Sequence, residues 1–173
     1  MMVEAAARPQ PEAGMLRCLD GSRPRVLLAE DSDAARVLIA ALLRRMGCEV
    51  DAVEHGEEAL SHVQSFSYDL ILLDIEMPVM DGVIAAREIR ALGGAAGATP
   101  LMALSAFLAD TSKCGRWQET FDIALAKPAG RDDLRKAIQR VLESKLRRNT
   151  YEASDAGTAN RPIAAFTERA VRG

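Results

Sequence analysis

At 173 residues the chain has room for one domain with tails, so a separate output domain is not expected. With 49% hydrophobic, 27% charged and 4% aromatic residues it reads as a soluble globular protein with an aliphatic core, and not as a fibrous or wholly disordered one. Lys and Arg number 22 against 25 Asp and Glu, a net charge of −3 that leaves no cationic excess for nucleic acid or anionic lipid.

Residues 1–24 are rich in Ala, Pro and Glu, hold no lasting periodicity, and read as a loose leader. No stretch of the chain has the apolar core of a signal peptide or the roughly eighteen apolar residues of a membrane span. Cys18, Cys48 and Cys114 are odd in number, far apart and without metal-ligand spacing. A cytoplasmic location in a reducing compartment is expected, with no nucleic-acid or membrane partner.

The run Arg25-Val26-Leu27-Leu28-Ala29 is of strand length and stops at Glu30-Asp31, which predicts a strand buried on both faces. Ala35, Leu38, Ile39, Leu42 and Met46 then recur at helical spacing, with Asp33 as the candidate cap and Gly47 as the stop. Residues 48–53 read as a second strand and 57–63 as a short helix. Leu70-Ile71-Leu72-Leu73 is the most apolar strand and stops at Asp74. Residues 83–92 predict a helix with Ile89 and Leu92 inward, closed by the glycine-rich breaker 93–97. Residues 101–103 and 123–126 are two further strands, ending toward Ser105 and Lys127-Pro128. Leu134, Ala137, Ile138, Val141, Leu142 and Leu146 mark one face of a long last helix. After Arg148 the remaining residues, 149–173, read as a polar tail, disordered or with one short docking helix. Strands alternating with helices over 25–148 predict an α/β domain with a doubly wound, five-stranded parallel sheet, because parallel neighbours require right-handed helical crossovers.

In such a sheet ligands collect beyond the carboxyl ends of the strands, where strand order reverses. Glu30, Asp31, Asp74, Ser105 and Lys127 would meet on that edge. Crowded carboxylates need a cation among them, and hard oxygen donors with open positions suit Mg²⁺, which takes one or two carboxylates and a phosphoryl oxygen. Asp74, ending the central strand ahead of Met77-Pro78 and Asp81-Gly82, is then a candidate nucleophile toward phosphorus. Ser105 would donate to one phosphoryl oxygen and Lys127 pair with another. The histidines His55 and His62 read as surface residues.

The pieces Leu27-Leu28-Ala29-Glu30-Asp31, Leu70 to Asp74 followed by Ile75-Glu76-Met77-Pro78-Val79-Met80-Asp81-Gly82, Leu104-Ser105-Ala106 and Ala126-Lys127-Pro128 resemble, in order and spacing, the receiver domains of two-component response regulators. Their wording is most similar to receivers of hybrid sensor kinases. The resemblance implies a (βα)5 flavodoxin-like fold with strand order 2-1-3-4-5, and phosphoryl transfer onto Asp74 from the phosphohistidine of a histidine kinase or a histidine phosphotransfer protein. It implies Mg²⁺, with Mn²⁺ as the alternative, held by Glu30, Asp31, Asp74 and the backbone carbonyl of Glu76. Ser105 and Lys127 would hold the phosphoryl group, the Lys127-Pro128 bond would be cis, and movement of Ser105 would signal to a downstream protein. Such a domain assists only its own phosphorylation and dephosphorylation and is not an enzyme in the usual sense.

The chain departs from the receiver pattern at the switch, where Ala124 stands in place of the usual Tyr or Phe and Thr120 in place of a glycine. Phe107, two residues after Ser105, is a candidate for the moving aromatic. The departure keeps a phosphorylation-independent adaptor as the alternative. A haloacid-dehalogenase-like phosphatase shares the residue types, but there the nucleophile precedes the acidic pair, the reverse of the order here.

Overall fold

In the computed structural model, which describes residues 15–18, 20–106 and 119–155, with side chains to residue 144, the short apolar runs become parallel strands. These are β1 (Arg25–Ala29), β2 (Glu49–Val53), β3 (Leu70–Asp74), β4 (Leu101–Ser105) and β5 (Ile123–Ala126), in the spatial order β2-β1-β3-β4-β5. Helices α1 (Asp33–Arg45), α2 (Gly56–Ser65), α3 (Gly82–Ala91), the single turn α4 (Gly94–Gly97) and α5 (Arg131–Asp155) connect and cover them. The sequence-based fold class and strand order are those observed.

The two-residue period of a strand explains why uninterrupted apolar runs were needed. Val26 and Leu28 of β1, Leu70 and Leu72 of β3, and Met102 and Leu104 of β4 face one core with Ile39 and Leu43 of α1 and Leu134, Ile138 and Val141 of α5. Leu27, Ala29, Ile71, Leu73, Leu101 and Ala103 face the other, with Ala59 and Val63 of α2 and Ala85 and Ile89 of α3. β3 and β4 are buried along their whole length. Each buried Leu or Ile contributes on the order of 1.5–3 kcal/mol, so the three central strands carry most of the apolar stabilisation and form a rigid base for the polar residues at their carboxyl ends.

Several local expectations change. The cap of α1 is Ser32, whose Oγ accepts from the Ala35 N–H at 3.5 Å. Asp33 is the first helical residue, where its charge still favours the helix N-terminus. Leu38, which keeps the helical spacing of α1, and Leu92, expected inward, are 61% and 42% exposed. The face of α1 that meets the sheet is Ile39, Ala40 and Leu43, and Leu92 is the C-terminal cap of α3, past its last packed turn. The glycine-rich breaker folds into α4 after Gly93, at φ 64°. Gly47 stops α1 at φ 96°, a conformation that favours glycine.

The leader contributes to the core. Leu16 is buried, its N–H donates to the Met46 carbonyl at 2.7 Å, and its side chain joins the first apolar cluster. The last helix continues to Asp155, beyond the boundary read at 148. Both histidines are half-buried and partnered: His55 caps α2 by accepting from the Glu58 N–H at 3.3 Å, and His62 Nδ1 lies 3.2 Å from the Tyr68 hydroxyl, which donates to Asp51 at 2.8 Å. No helix among the described residues is long and apolar enough to cross a membrane.

Candidate functional site

Strand order reverses between β1 and β3: β1 has β2 on one side and β3 on the other. The chain therefore leaves these strands in opposite directions and opens a crevice at their carboxyl ends. Ala29 pairs with Leu73 across this boundary, so Glu30 and Asp74, each the next residue, sit side by side. On the far side Asp74 pairs with Leu104, and Ser105 with Ala126. The sheet register thus brings the ends of four strands together, and Lys127 comes directly after the last of them.

The side chains converge. Lys127 Nζ lies 2.6 Å from Asp74 Oδ2 and 2.6 Å from Glu30 Oε2. Glu30, Asp31 and Asp74 each present a carboxylate oxygen, all within 4.8 Å of one another. Glu30 and Asp74 are 1% and 5% exposed, whereas Asp31 opens to solvent. Ser105 is buried at the end of β4, and its carbonyl accepts from the Lys127 N–H at 2.8 Å. The Lys127–Pro128 bond is cis.

The loop after β3 is folded tightly against its own origin. Glu76 N–H donates to Asp74 Oδ1 at 3.3 Å and Gly82 N–H to the Ile75 carbonyl at 3.1 Å. The Asp81 side chain caps α3 by accepting from the Ile84 N–H at 2.8 Å. Between them Val79 is 75% exposed and takes φ 65°, a left-handed conformation that costs a β-branched residue roughly 1–2 kcal/mol.

Burial raises the Glu30 carboxyl above its ordinary value of 4.5; the Lys127 ammonium opposes the rise and the neighbouring Asp74 charge adds to it. For Lys127, burial pulls the pKa down, but Asp74 and Glu30 outweigh it and hold the ammonium above its ordinary value of 10.5. A raised folded-state carboxyl stabilises the fold fully below the unfolded value, and that stability is lost as pH rises through the folded value. In EDTA, Glu30→Gln is therefore expected to flatten the decline in stability above pH 4.5, measured by urea unfolding at a series of pH values.

A divalent metal fits this donor set. Glu30 Oε2 is buried and meets the ammonium at ionic distance, yet accepts no well-directed hydrogen bond, so it keeps acceptor capacity for a further ligand. Three hard oxygens on one side and open solvent beyond Asp31 are what Mg²⁺ takes, since it keeps several of its own waters.

At the expected switch position, Ala124 is half-buried on β5, paired with Ala103 and packed against the second core cluster. Thr120 offers its carbonyl to Arg90 Nε at 3.3 Å. Phe107 lies outside the described residues. Sequence reasoning missed Arg36 of α1, which donates to the Glu30 carbonyl at 2.8 Å and to Glu54 Oε1 at 3.0 Å. Its three-residue spacing from Asp33 was the available signal.

Comparison with known proteins agrees with this arrangement. The family model described as response regulator receiver domain matches residues 26–139. The sensor protein GacS of Pseudomonas syringae pv. syringae is 37% identical over 122 residues, which cover 69% of this chain and 14% of that protein. The chain spans less than a fifth of the length of several such full-length relatives. Among solved structures, the receiver domain of sensor histidine kinase PA1611 from Pseudomonas aeruginosa, with magnesium coordinated in its active site cleft, is 34% identical. It covers 70% of this chain and 99% of its own, with a TM-score of 0.66. The response regulator protein TrrA of Thermotoga maritima, in complex with Mg²⁺-BeF, is 31% identical and covers 68% and 98%, with a TM-score of 0.61. The chain belongs to the response regulator receiver domain family.

Proposed function

We propose that this domain accepts a phosphoryl group on Asp74 from a phosphohistidine, supplied by a histidine kinase or a histidine phosphotransfer protein, and so passes or stores a two-component signal. The observation that supports this best is the single ammonium of Lys127 at 2.6 Å from both Asp74 and Glu30. That arrangement holds the nucleophile and Glu30 against one point charge that can turn to a phosphoryl oxygen.

In this reading an Asp74 carboxylate oxygen attacks phosphorus, the P–N bond to the donor imidazole breaks, and its electron pair returns to the ring nitrogen. Mg²⁺ held by Glu30, Asp31, Asp74 and the Glu76 carbonyl would offset the charge that otherwise keeps two anions apart. Lys127 exchanges its contact with Asp74 for one phosphoryl oxygen, and Ser105 donates its hydroxyl to another. The Asp74 carboxylate is buried and held by the Glu76 N–H and the Lys127 ammonium, so positioning and electrostatics suffice.

The switch departs from the usual receiver design. With only a methyl group at Ala124, motion at Ser105 has no ring to carry along on β5, which favours a signal read directly from the crevice by the downstream protein. An adaptor that never carries phosphate is the competing reading. Incubation with phosphoramidate and Mg²⁺ separates them by intact mass: the wild type is expected to gain one hydroxylamine-labile phosphoryl group, mapped to Asp74, and EDTA to prevent it. No gain in mass would favour the adaptor.

A further inference from the structure

Arg36 has no part in the chemistry above, yet it touches the backbone of Glu30 and Asp31, two of the three acids of the cluster. Its side chain is only 15% exposed. Nη1 donates to the backbone carbonyls of Glu30 at 2.8 Å and Asp31 at 3.4 Å. Nη2 pairs with the Asp33 carboxylate and with Glu54 Oε1 at 3.0 Å. The Glu30 peptide is thereby pinned on both sides, because its N–H donates to the Val53 carbonyl on β2 at 3.1 Å. The Glu30 carboxylate is steadied by the Ser32 N–H at 3.4 Å and by Lys127.

A rigid planar fork suits this task, since one guanidinium can direct donors to two carbonyls and two carboxylates at once and an ammonium cannot. The path of the chain over residues 30 and 31 decides where their carboxylates point. The ion pairs also engage the two outer acids, Asp33 and Glu54, and leave Glu30, Asp31 and Asp74 to face an ion.

We propose that Arg36 is a positioning residue for the Mg²⁺ site, fixing the turn between β1 and α1 so that Glu30 and Asp31 present their carboxylates beside Asp74. The inference rests on the reading of that site as a Mg²⁺ site. Its consequence has a sign that a plain surface charge would not give. Arg36 is a cation beside a cation site, so by Coulomb repulsion alone its removal would tighten Mg²⁺ binding. If it positions the ligands, its removal weakens binding.

Calorimetric titration of Mg²⁺ into the full chain, at fixed pH and ionic strength, decides between the two. Arg36→Met is expected to weaken binding about ten-fold, as loss of partners that orient metal ligands does elsewhere, and Arg36→Lys to weaken it by less while keeping the charge. Urea unfolding in EDTA establishes that each variant is folded. Unchanged or tighter binding by Arg36→Met overturns the assignment, and should that variant not fold, unchanged binding by Arg36→Lys does so. A wild type that takes up no Mg²⁺ overturns the reading of the site, whereas a binding wild type with an indifferent Arg36→Met overturns the role of Arg36 alone.

Discussion

Gly82→Ala is expected to be among the most damaging single-methyl additions in the domain. A Cβ at Gly82 would lie 2.0 Å from the carbonyl oxygen of Asp74 and 2.9 Å from its carbonyl carbon, far inside van der Waals contact with backbone that has no rotamer to change. Alanine is favoured over glycine within a helix by about 1 kcal/mol, and an exposed helix start would normally gain from the change. Here the chain must move instead, either lifting α3 off β3 or pushing the peptide after Asp74 out of the sheet. Overpacking of this kind costs about 1–3 kcal/mol and occasionally more, and backbone as the obstacle places the expected loss at or above about 3 kcal/mol. Urea unfolding measures it. The displaced peptide carries Asp74, so Mg²⁺ affinity is expected to fall in whatever fraction remains folded. Stability equal to the wild type would contradict the close approach of α3 to β3.

Lys127→Met is expected to destabilise the metal-free domain by about 2–3 kcal/mol, somewhat below the cost of breaking a fully buried ion pair, because the Lys127 side chain is 23% exposed. The variant keeps an apolar stem but leaves Glu30 and Asp74, both buried, without the cation that now lies 2.6 Å from each. Two further results separate this cause from lost packing. Added Mg²⁺ should return part of the lost stability, since a divalent ion supplies the missing countercharge. Glu30→Gln combined with Lys127→Met should also recover stability relative to Lys127→Met alone, a coupling that a double-mutant cycle in EDTA reads directly. Purely additive effects would mean that Glu30 and Lys127 do not share one electrostatic centre.

The fold was legible because its three central strands are buried on both faces. Leu27 to Ala29 and Leu70 to Leu73 need no alternation to be recognised, and each run stops at an acid. The residues of the candidate site were legible for the same reason, since they are the residues that end those strands. Other features were set by partners that a linear pattern does not display. Leu38 and Leu92 fit the helical period of their segments, but the sheet is met by only a narrow face of each helix, and both residues fall just off it. Leu16 looked unattached because its partner, Met46, is thirty residues away. The spacing of Arg36 from Asp33 hinted at an ion pair, but not at the site, because the two contacts that reach residues 30 and 31 are to backbone carbonyls, which every sequence has in equal supply.

The central claim is that Glu30, Asp31, Asp74, Ser105 and Lys127 act as one Mg²⁺-dependent phosphoacceptor site. Beryllofluoride, which mimics a phosphoryl group on a carboxylate, tests it most directly by calorimetry of the wild type and of Asp74→Asn, each with Mg²⁺ and with EDTA. Saturable binding of one equivalent by the wild type with Mg²⁺, and no binding in the other three titrations, is the predicted result. Equal binding by Asp74→Asn, or none by the wild type at any Mg²⁺ concentration, would contradict it.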